Sequence, residues 1–107
     1  MITDNQVQEA LDWMIKNEDA LAEAKAAYHD LDRFSKTIKA ELMSKISINM
    51  SVAARETEAL ANKKYKTHLE NLRTAEKDYL NLEYKMDHNK LICQLWQTIS
   101  ANKRQSV

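Results

Sequence analysis

Residues 44–51 read Ser-Lys-Ile-Ser-Ile-Asn-Met-Ser, and this stretch decides the fold because it interrupts a helical pattern that continues on both sides. Serine, asparagine and β-branched side chains disfavour a helix interior, whereas Ser47 or Ser51 can cap a helix that follows. We therefore expect a first helix to end at about residue 45 and a short second helix to occupy about residues 52–61.

Before this break, a stripe of residues recurs at heptad spacing, which predicts one long helix. Thr3 and Gln6 form a capping box in which the Thr3 hydroxyl accepts from the Gln6 amide, so helix 1 should span about residues 4–45. The two series of the stripe are Val7, Met14, Leu21, Tyr28, Ser35 and Leu42, and Ala10, Asn17, Ala24, Leu31 and Ile38.

The heptad resumes after the short helix and predicts a third helix over about residues 64–102, with a frayed tail at 103–107. The pattern leaves open whether residues 62–64 form a corner or continue one helix into the next. The resumed series are Tyr65, Leu72, Tyr79, Met86 and Cys93, and His68, Ala75, Leu82, Asn89 and Trp96. The predicted fold is all-α: one domain over residues 1–107, a long coiled-coil-like antiparallel helical hairpin with a short connecting helix.

Composition supports long helices and excludes other classes. The 107 residues include no Gly and no Pro, which excludes tight-turned β architectures, Gly-rich phosphate loops and dinucleotide-binding turns. Sixteen basic and sixteen acidic side chains cancel, although residues 1–59 carry a net charge of −4 and residues 60–107 one of +4. This asymmetry fits an acidic first helix antiparallel to a basic third helix, and contact of the basic end with phosphate is the alternative.

Each long helix carries one asparagine in the stripe, Asn17 and Asn89. If the hairpin pairs positions whose numbers sum to about 106 or 107, these two residues share a layer. A buried asparagine pair would set the register at some cost in stability, as it does in coiled coils. The alternative is that each asparagine faces water.

The open end of such a hairpin carries more apolar side chains than two helices can cover. We expect a homodimer, arranged as a helical bundle, to bury the surplus, with a heteromeric partner as the alternative. The residues assigned to the core or to this dimer contact are Val7, Leu11, Trp13, Met14, Leu91, Ile92, Leu95, Trp96 and Ile99.

The sequence offers little catalytic chemistry. His29, His68, His88 and Cys93 lack the spacing of metal ligands, and Cys93 has no base beside it. We therefore expect no enzyme activity, no metal, no cofactor and no small-molecule substrate. A single cysteine, a polar N-terminus and the absence of a long apolar run lead us to expect a cytoplasmic protein without a membrane partner.

A binding surface is the remaining possibility. Lys63, Lys64, Lys66 and Arg73 form one basic cluster, and Lys90, Lys103 and Arg104 form another. Aromatic side chains next to cations are how proteins hold single-stranded DNA. The alternative is that the aromatics pack in the stripe and the lysines are only a solvated face. The candidate binding residues are Arg55, Lys63, Lys64, Lys90, Trp96, Asn102, Lys103 and Arg104.

Two segments carry a family resemblance over about residues 36–104. They are Ser51-Val-Ala-Ala-Arg-Glu-Thr-Glu-Ala-Leu-Ala, followed by Tyr65-Lys-Thr-His-Leu, and Leu91-Ile-Cys-Gln-Leu-Trp-Gln-Thr-Ile-Ser-Ala-Asn-Lys-Arg104. The chain resembles small helical accessory proteins of tailed phages, although Gln97 stands where those proteins often have an arginine. The resemblance implies a gene of the early or recombination region, and hence a location in the host cytoplasm.

Three functions are consistent with these features. The first is a non-enzymatic accessory protein that assists DNA recombination or replication by binding single-stranded DNA or a DNA-processing protein. The second is an inhibitor that docks on a host defence complex, and the third is a structural or assembly protein.

Overall fold

The computed structural model describes residues 1–105 and, within them, contains three α-helices and no strand. Helix α1 spans Asp4–Ser44, α2 spans Val52–Ala61 and α3 spans Lys63–Gln105. These bounds agree with the predicted elements at both ends of α1 and α2. Helix α3 is longer than expected, and the prediction of a frayed tail is wrong for residues 103–105. Lys103 and Arg104 occupy its last turn, where the helix dipole favours cations; residues 106 and 107 lie outside the described range.

The predicted caps at the starts of α1 and α2 are confirmed. Thr3 Oγ1 accepts from the Gln6 amide at 3.2 Å, and the Thr3 amide donates to Gln6 Oε1 at 2.8 Å. Ser51, with extended backbone angles, accepts from the Ala54 amide at 3.1 Å. These caps satisfy amides that have no partner inside their helix, which is why the two helices begin where the sequence predicts.

Asn62 makes a true corner between α2 and α3, which settles the question that the heptad pattern leaves open. Its backbone is extended, with φ −66° and ψ 140°. Its amide donates to the Ala59 carbonyl at 3.1 Å and closes α2, while its Oδ1 accepts from the Lys64 amide at 2.8 Å and caps α3. One residue therefore ends one helix and starts the next.

Contacts divide the chain into two compact units rather than the single one that its length suggests. The end unit contains Met1–Glu23 together with the chain from Tyr79 onward, and the turn unit is Ala24–Asp78, which includes α2. Each unit is built from one segment of α1 and one segment of α3.

In each unit the two long helices meet along the predicted stripe. Every residue of the four heptad series is buried or half-buried. The helices are antiparallel, because within the turn unit Tyr28 of α1 contacts Glu76 of α3 and the later Ser35 contacts the earlier His68. The all-α helical hairpin predicted from the heptads is therefore confirmed.

The core is thin in both units. The buried apolar residues are Val7, Ala10 and Met86 in the end unit and Leu42 and Ala59 in the turn unit. No large side chain among the described residues is completely shielded from solvent. A two-helix seam leaves most of each helix in water, so most of its apolar side chains remain partly exposed.

A polar pair, and not the asparagines, marks the register in the turn unit. Ser35 Oγ lies 2.8 Å from His68 Nε2, and His68 is only 6% exposed. The residue numbers of this pair sum to 103, not to 106 or 107, so the expected register is wrong. Ser35 Oγ also donates to the Leu31 carbonyl at 3.3 Å, so this one hydroxyl contacts both its own helix and α3.

The asparagines bond to their own helices in the end unit. Asn17 Nδ2 donates to the Trp13 carbonyl and Asn89 Nδ2 donates to the Lys85 carbonyl, each at 2.8 Å. Asn89 lines a groove together with Ala10 and Trp13 of α1. Ala10 lies two helical turns before Asn17 and Trp13 lies one turn before it, so Asn89 faces an earlier part of α1 than Asn17. The expected pairing of Asn17 with Asn89 in one layer is therefore not what sets the register.

A salt bridge connects α1 to α2 within the turn unit. Lys39 Nζ donates to Glu56 Oε1 at 2.8 Å, and this hydrogen bond, with the attraction of the Glu56 carboxylate, raises the pKa of Lys39 above its usual 10.5. The Glu76 carboxylate likewise raises the pKa of Tyr28 above 10.0. Both shifts favour the protonated side chain in the folded protein.

We predict that Ser35→Ala lowers the free energy of unfolding by about 1–3 kcal/mol, because it leaves the His68 imidazole buried without its hydrogen-bond partner. The double variant Ser35→Ala/His68→Leu should recover most of this loss, since it removes both polar partners. Urea unfolding measures both effects, and Ser44→Ala, which removes an exposed hydroxyl bonded to the Glu41 carbonyl, is the control. A double variant that is less stable than Ser35→Ala would contradict the role given to this pair.

The Lys39–Glu56 salt bridge predicts a loss of stability at alkaline pH. Because the pKa of Lys39 is raised on folding, the contact stabilises the protein below about pH 10.5, and this stabilisation is lost as the pH rises through the higher folded pKa. The difference in unfolding free energy between the wild type and Glu56→Gln should therefore be constant from pH 7 to 9 and shrink above that range. Tyr28 titrates in both proteins, so the difference isolates Lys39. A difference that does not change with alkaline pH would contradict the assignment.

Candidate binding surfaces

The candidate binding residues fall in two different units. Arg55, Lys63 and Lys64 belong to the turn unit, and the others belong to the end unit. The two groups are therefore two separate candidate surfaces. Those of the end unit are Lys90, Trp96, Asn102, Lys103 and Arg104.

The first surface is a cluster that we call the lysine corner, defined as Lys63, Lys64 and Lys66. All three side chains are exposed and follow the Asn62 corner directly. Asn62, Lys63, Lys64 and Thr67 line a surface depression of about 500 Å³. In residues 1–105 none of the three lysines forms an ion pair, in contrast to Lys39 and Arg33.

The electrostatics of the lysine corner are unfavourable to the helix that carries it. The first turn of α3 contains no acidic residue. The N-terminus of a helix has a positive partial charge, so each cation there costs about 0.3–1 kcal/mol where an acid would stabilise by a similar amount. A bound anion would relieve this repulsion and contact the same positive end.

Arg55 differs from the lysines with which the sequence grouped it. It lies half-buried in α2, and its Nε is shielded from solvent and has no hydrogen-bond partner within residues 1–105. Its placement in an exposed phosphate-binding patch is therefore a wrong expectation. Arg55 and Ala59 lie one turn apart on the same face of α2, and Ala59 is fully buried. This face of α2 therefore points into the turn unit.

The second surface, at the C-terminal end of α3, is less suited to anions. Trp96 is half-buried, and its Nε1 donates to Asp4 Oδ1 at 3.0 Å, so the indole ties α3 to the first turn of α1. Asp4 and Lys103 line the same pocket of about 290 Å³. Lys90, Asn102 and Arg104 are exposed. The indole is thus part of the packing of the end unit, and a carboxylate lies beside the basic residues.

The residues assigned to the core or to a dimer contact separate into three groups. Val7 is buried. Leu11, Leu91 and Leu95 are exposed. The half-buried ones are Trp13, Met14, Ile92, Trp96 and Ile99. The sequence reasoning missed one strongly exposed aromatic residue of this unit, Tyr84, because it lies outside the stripe and outside the apolar segment at the open end.

One concave feature of the end unit has no catalytic constellation among its lining residues. It is a groove of about 390 Å³ in which Glu9 is the one ionisable side chain, and its other lining residues are Ile2, Gln6, Ala10, Trp13, Asn89 and Ile92. In the Ser35–His68 pair of the turn unit, the histidine is buried and the serine is half-buried. Within residues 1–105 no group of three His, Cys, Asp or Glu side chains could hold a metal ion.

Comparison of the chain with known proteins finds no relative. No protein-family model, curated protein or solved structure matches the chain. No helix in the described part of the chain has the length and apolar character that crossing a membrane requires.

We predict that Trp96→Phe lowers the free energy of unfolding by about 0.5–1.5 kcal/mol more than Trp13→Phe does. Both substitutions remove part of a half-buried ring, but only Trp96 loses a hydrogen bond, the one to Asp4, since the Trp13 indole donates none within residues 1–105. Urea unfolding followed by circular dichroism gives both values. Equal losses would mean that the indole–carboxylate contact contributes nothing.

Proposed function

We propose that this protein acts by binding, without catalysis, as a phage accessory protein that assists DNA recombination or replication in the host cytoplasm. The observation that carries the proposal is the lysine corner, where three exposed, unpaired lysines stand at the positive end of α3 with no acid in that turn. The ligand that fits such a site is the phosphate backbone of single-stranded DNA. A second copy of the chain is the proposed protein partner.

The contact would be electrostatic and indifferent to base sequence. Tyr65, the aromatic residue nearest the lysines, is half-buried and packs on the His68 ring with centroids 6.3 Å apart, so it offers no free stacking surface. Phosphate contacts alone give weak, salt-dependent binding, typically with a Kd of about 10⁻⁴–10⁻⁶ M. A dimer would present two lysine corners and bind a longer strand more tightly by avidity.

A second candidate function, docking on a host protein complex, is favoured by a different feature. Leu11 and Ile15 lie one turn apart on α1 and are 40% and 68% exposed. Asp4, Asp12, Glu18 and Asp19 surround this apolar pair along the helix. An exposed apolar pair with an acidic rim suits a basic protein surface better than it suits DNA.

The proposal predicts a change in the salt dependence of DNA binding when the lysine corner is neutralised. Each phosphate contact on a single strand contributes about 0.7 to the slope of log K against log salt concentration. Replacing Lys63, Lys64 and Lys66 by Gln should therefore reduce the slope by about 2 and weaken binding at low salt. Fluorescence anisotropy with a labelled oligothymidine at several salt concentrations measures both quantities.

The matched control replaces three exposed lysines of the same unit, Lys25, Lys36 and Lys77, by Gln, which changes the net charge equally. This control should retain most of the wild-type slope. A second comparison, Lys103→Ala/Arg104→Ala, tests the C-terminal surface. If the two triple variants lose equal affinity, only net charge matters and the lysine corner is not a site. If the wild type does not bind the oligonucleotide at low salt, the DNA-binding function is wrong.

A further inference from the structure

The end unit contains a groove between α1 and α3 that is large enough to hold a side chain of another molecule. Its volume is about 390 Å³, within the range of sites that bind ligands. Ala10 and Asn89 occupy seam positions on the two helices, and both line the groove. A methyl group and a short amide fill less of the seam than two leucines would, which is why the groove opens at this level.

Two side chains of this groove have oxygen atoms that are open to a hydrogen-bond donor. Glu9 is the one charged side chain that lines it, and within residues 1–105 it forms no ion pair. The one hydrogen bond of its carboxylate comes from Asn5 Nδ2 and is long, at 3.5 Å. Asn89 Nδ2 donates to the Lys85 carbonyl at 2.8 Å, so Asn89 Oδ1 is left without a donor in the described part of the chain.

An indole ring and aliphatic side chains complete the lining. Trp13 is half-buried, and its indole donates no hydrogen bond within residues 1–105. An indole attracts a cation that lies over its face, more strongly than other aromatic side chains do. Ile2 and Ile92 line the same groove and can cover methylene groups. We call the groove formed by these residues with Glu9 and Asn89 the acceptor groove.

This combination of groups favours a guanidinium group on an aliphatic chain. A guanidinium is a planar cation with five N–H donors and no acceptor, and it stacks on aromatic rings and loses its hydration more readily than an ammonium does. Its charge complements the Glu9 carboxylate, and its donors match that carboxylate and Asn89 Oδ1. An anion would meet a carboxylate instead of a cation, because no lysine or arginine lines the groove.

We propose that the acceptor groove binds an arginine side chain of a basic partner protein. Free arginine fits less well, because its α-carboxylate would lie near Glu9 with no cation to neutralise it, whereas an arginine inside a chain lacks that charge. The end unit carries eight carboxylate side chains against five lysines and arginines, so its net charge also attracts a basic surface. The lysine corner belongs to the other unit and is a separate site.

The ligand class is tested with N-acetyl-arginine amide, which represents an arginine inside a chain. Added to the nitrogen-15-labelled protein, it should shift the nuclear magnetic resonance signals of the Trp13 indole and the Asn89 side-chain amide until they saturate, and leave the Trp96 indole unmoved. The corresponding citrulline compound has the same shape without the charge and should give no saturable shift. N-acetyl-lysine amide and free arginine should each bind at least about threefold more weakly.

Matched variants test the residues of the acceptor groove. Glu9→Gln should weaken the binding of N-acetyl-arginine amide about three- to tenfold, because it removes the charge that pairs with the guanidinium. Glu18→Gln makes the same change at an exposed glutamate of α1, about 13 Å further along the helix, and should alter the dissociation constant by less than about twofold. Trp13→Leu removes the indole and should weaken binding a few fold, as followed by the Asn89 signal. Circular dichroism checks that all three variants remain helical.

The outcomes separate the site, the ligand class and its source. If no saturable shift occurs, or if Glu9→Gln and Glu18→Gln lose equal affinity, the acceptor groove is not a site. If the citrulline or lysine compound binds as tightly as the arginine compound, the guanidinium assignment is wrong. If free arginine binds more tightly, the ligand is the amino acid and not a partner protein. Glu9→Gln should leave oligonucleotide binding unchanged, so none of these results affects the function proposed for the lysine corner.

Discussion

Two helices that meet along a heptad stripe bury only about two residues in seven, and this limit governs the whole protein. The seam holds α1 against α3 in both units, yet within the described residues its buried apolar members are few, namely Val7, Ala10, Leu42 and Met86. Polar contacts supplement it: the Ser35–His68 pair inside the seam, and the Trp96–Asp4 and Lys39–Glu56 contacts at its margins. The apolar side chains that the seam cannot cover remain on the outer faces of the helices.

The parts of the fold that depend on local sequence could be predicted. Every residue of the four heptad series is buried or half-buried, and the Thr3–Gln6 and Ser51 caps marked the helix starts, because these signals act over a few residues. The register of α1 against α3 could not be predicted, because an apolar stripe fits its partner almost equally well after a shift of half a heptad. The asparagines suggested a sum of 106 or 107, but each satisfies its amide on its own helix, and the Ser35–His68 contact gives 103.

The binding surfaces were predictable only in part, for the same reason. Lys63 and Lys64 are exposed as their sequence indicates, because lysine side chains outside the apolar stripe stay in water. Arg55 was misassigned, and Trp96 was given two assignments, of which the core contact fits its half-buried position. The environment of each depends on which face of the helix meets another element. Tyr84 was overlooked because an isolated aromatic residue outside the heptad stripe gives no signal until the exposed face is seen as a whole.

The central claim is that the seam alone leaves apolar surface that a second copy covers, so folding and association are linked. The most direct measurement is the thermal unfolding midpoint at protein concentrations spanning three orders of magnitude. If the dimer is the stable form, the midpoint rises steadily with concentration, because association stabilises only the folded chain. A midpoint that is independent of concentration, in a range where the protein is folded, would show that one copy is sufficient and would contradict this claim.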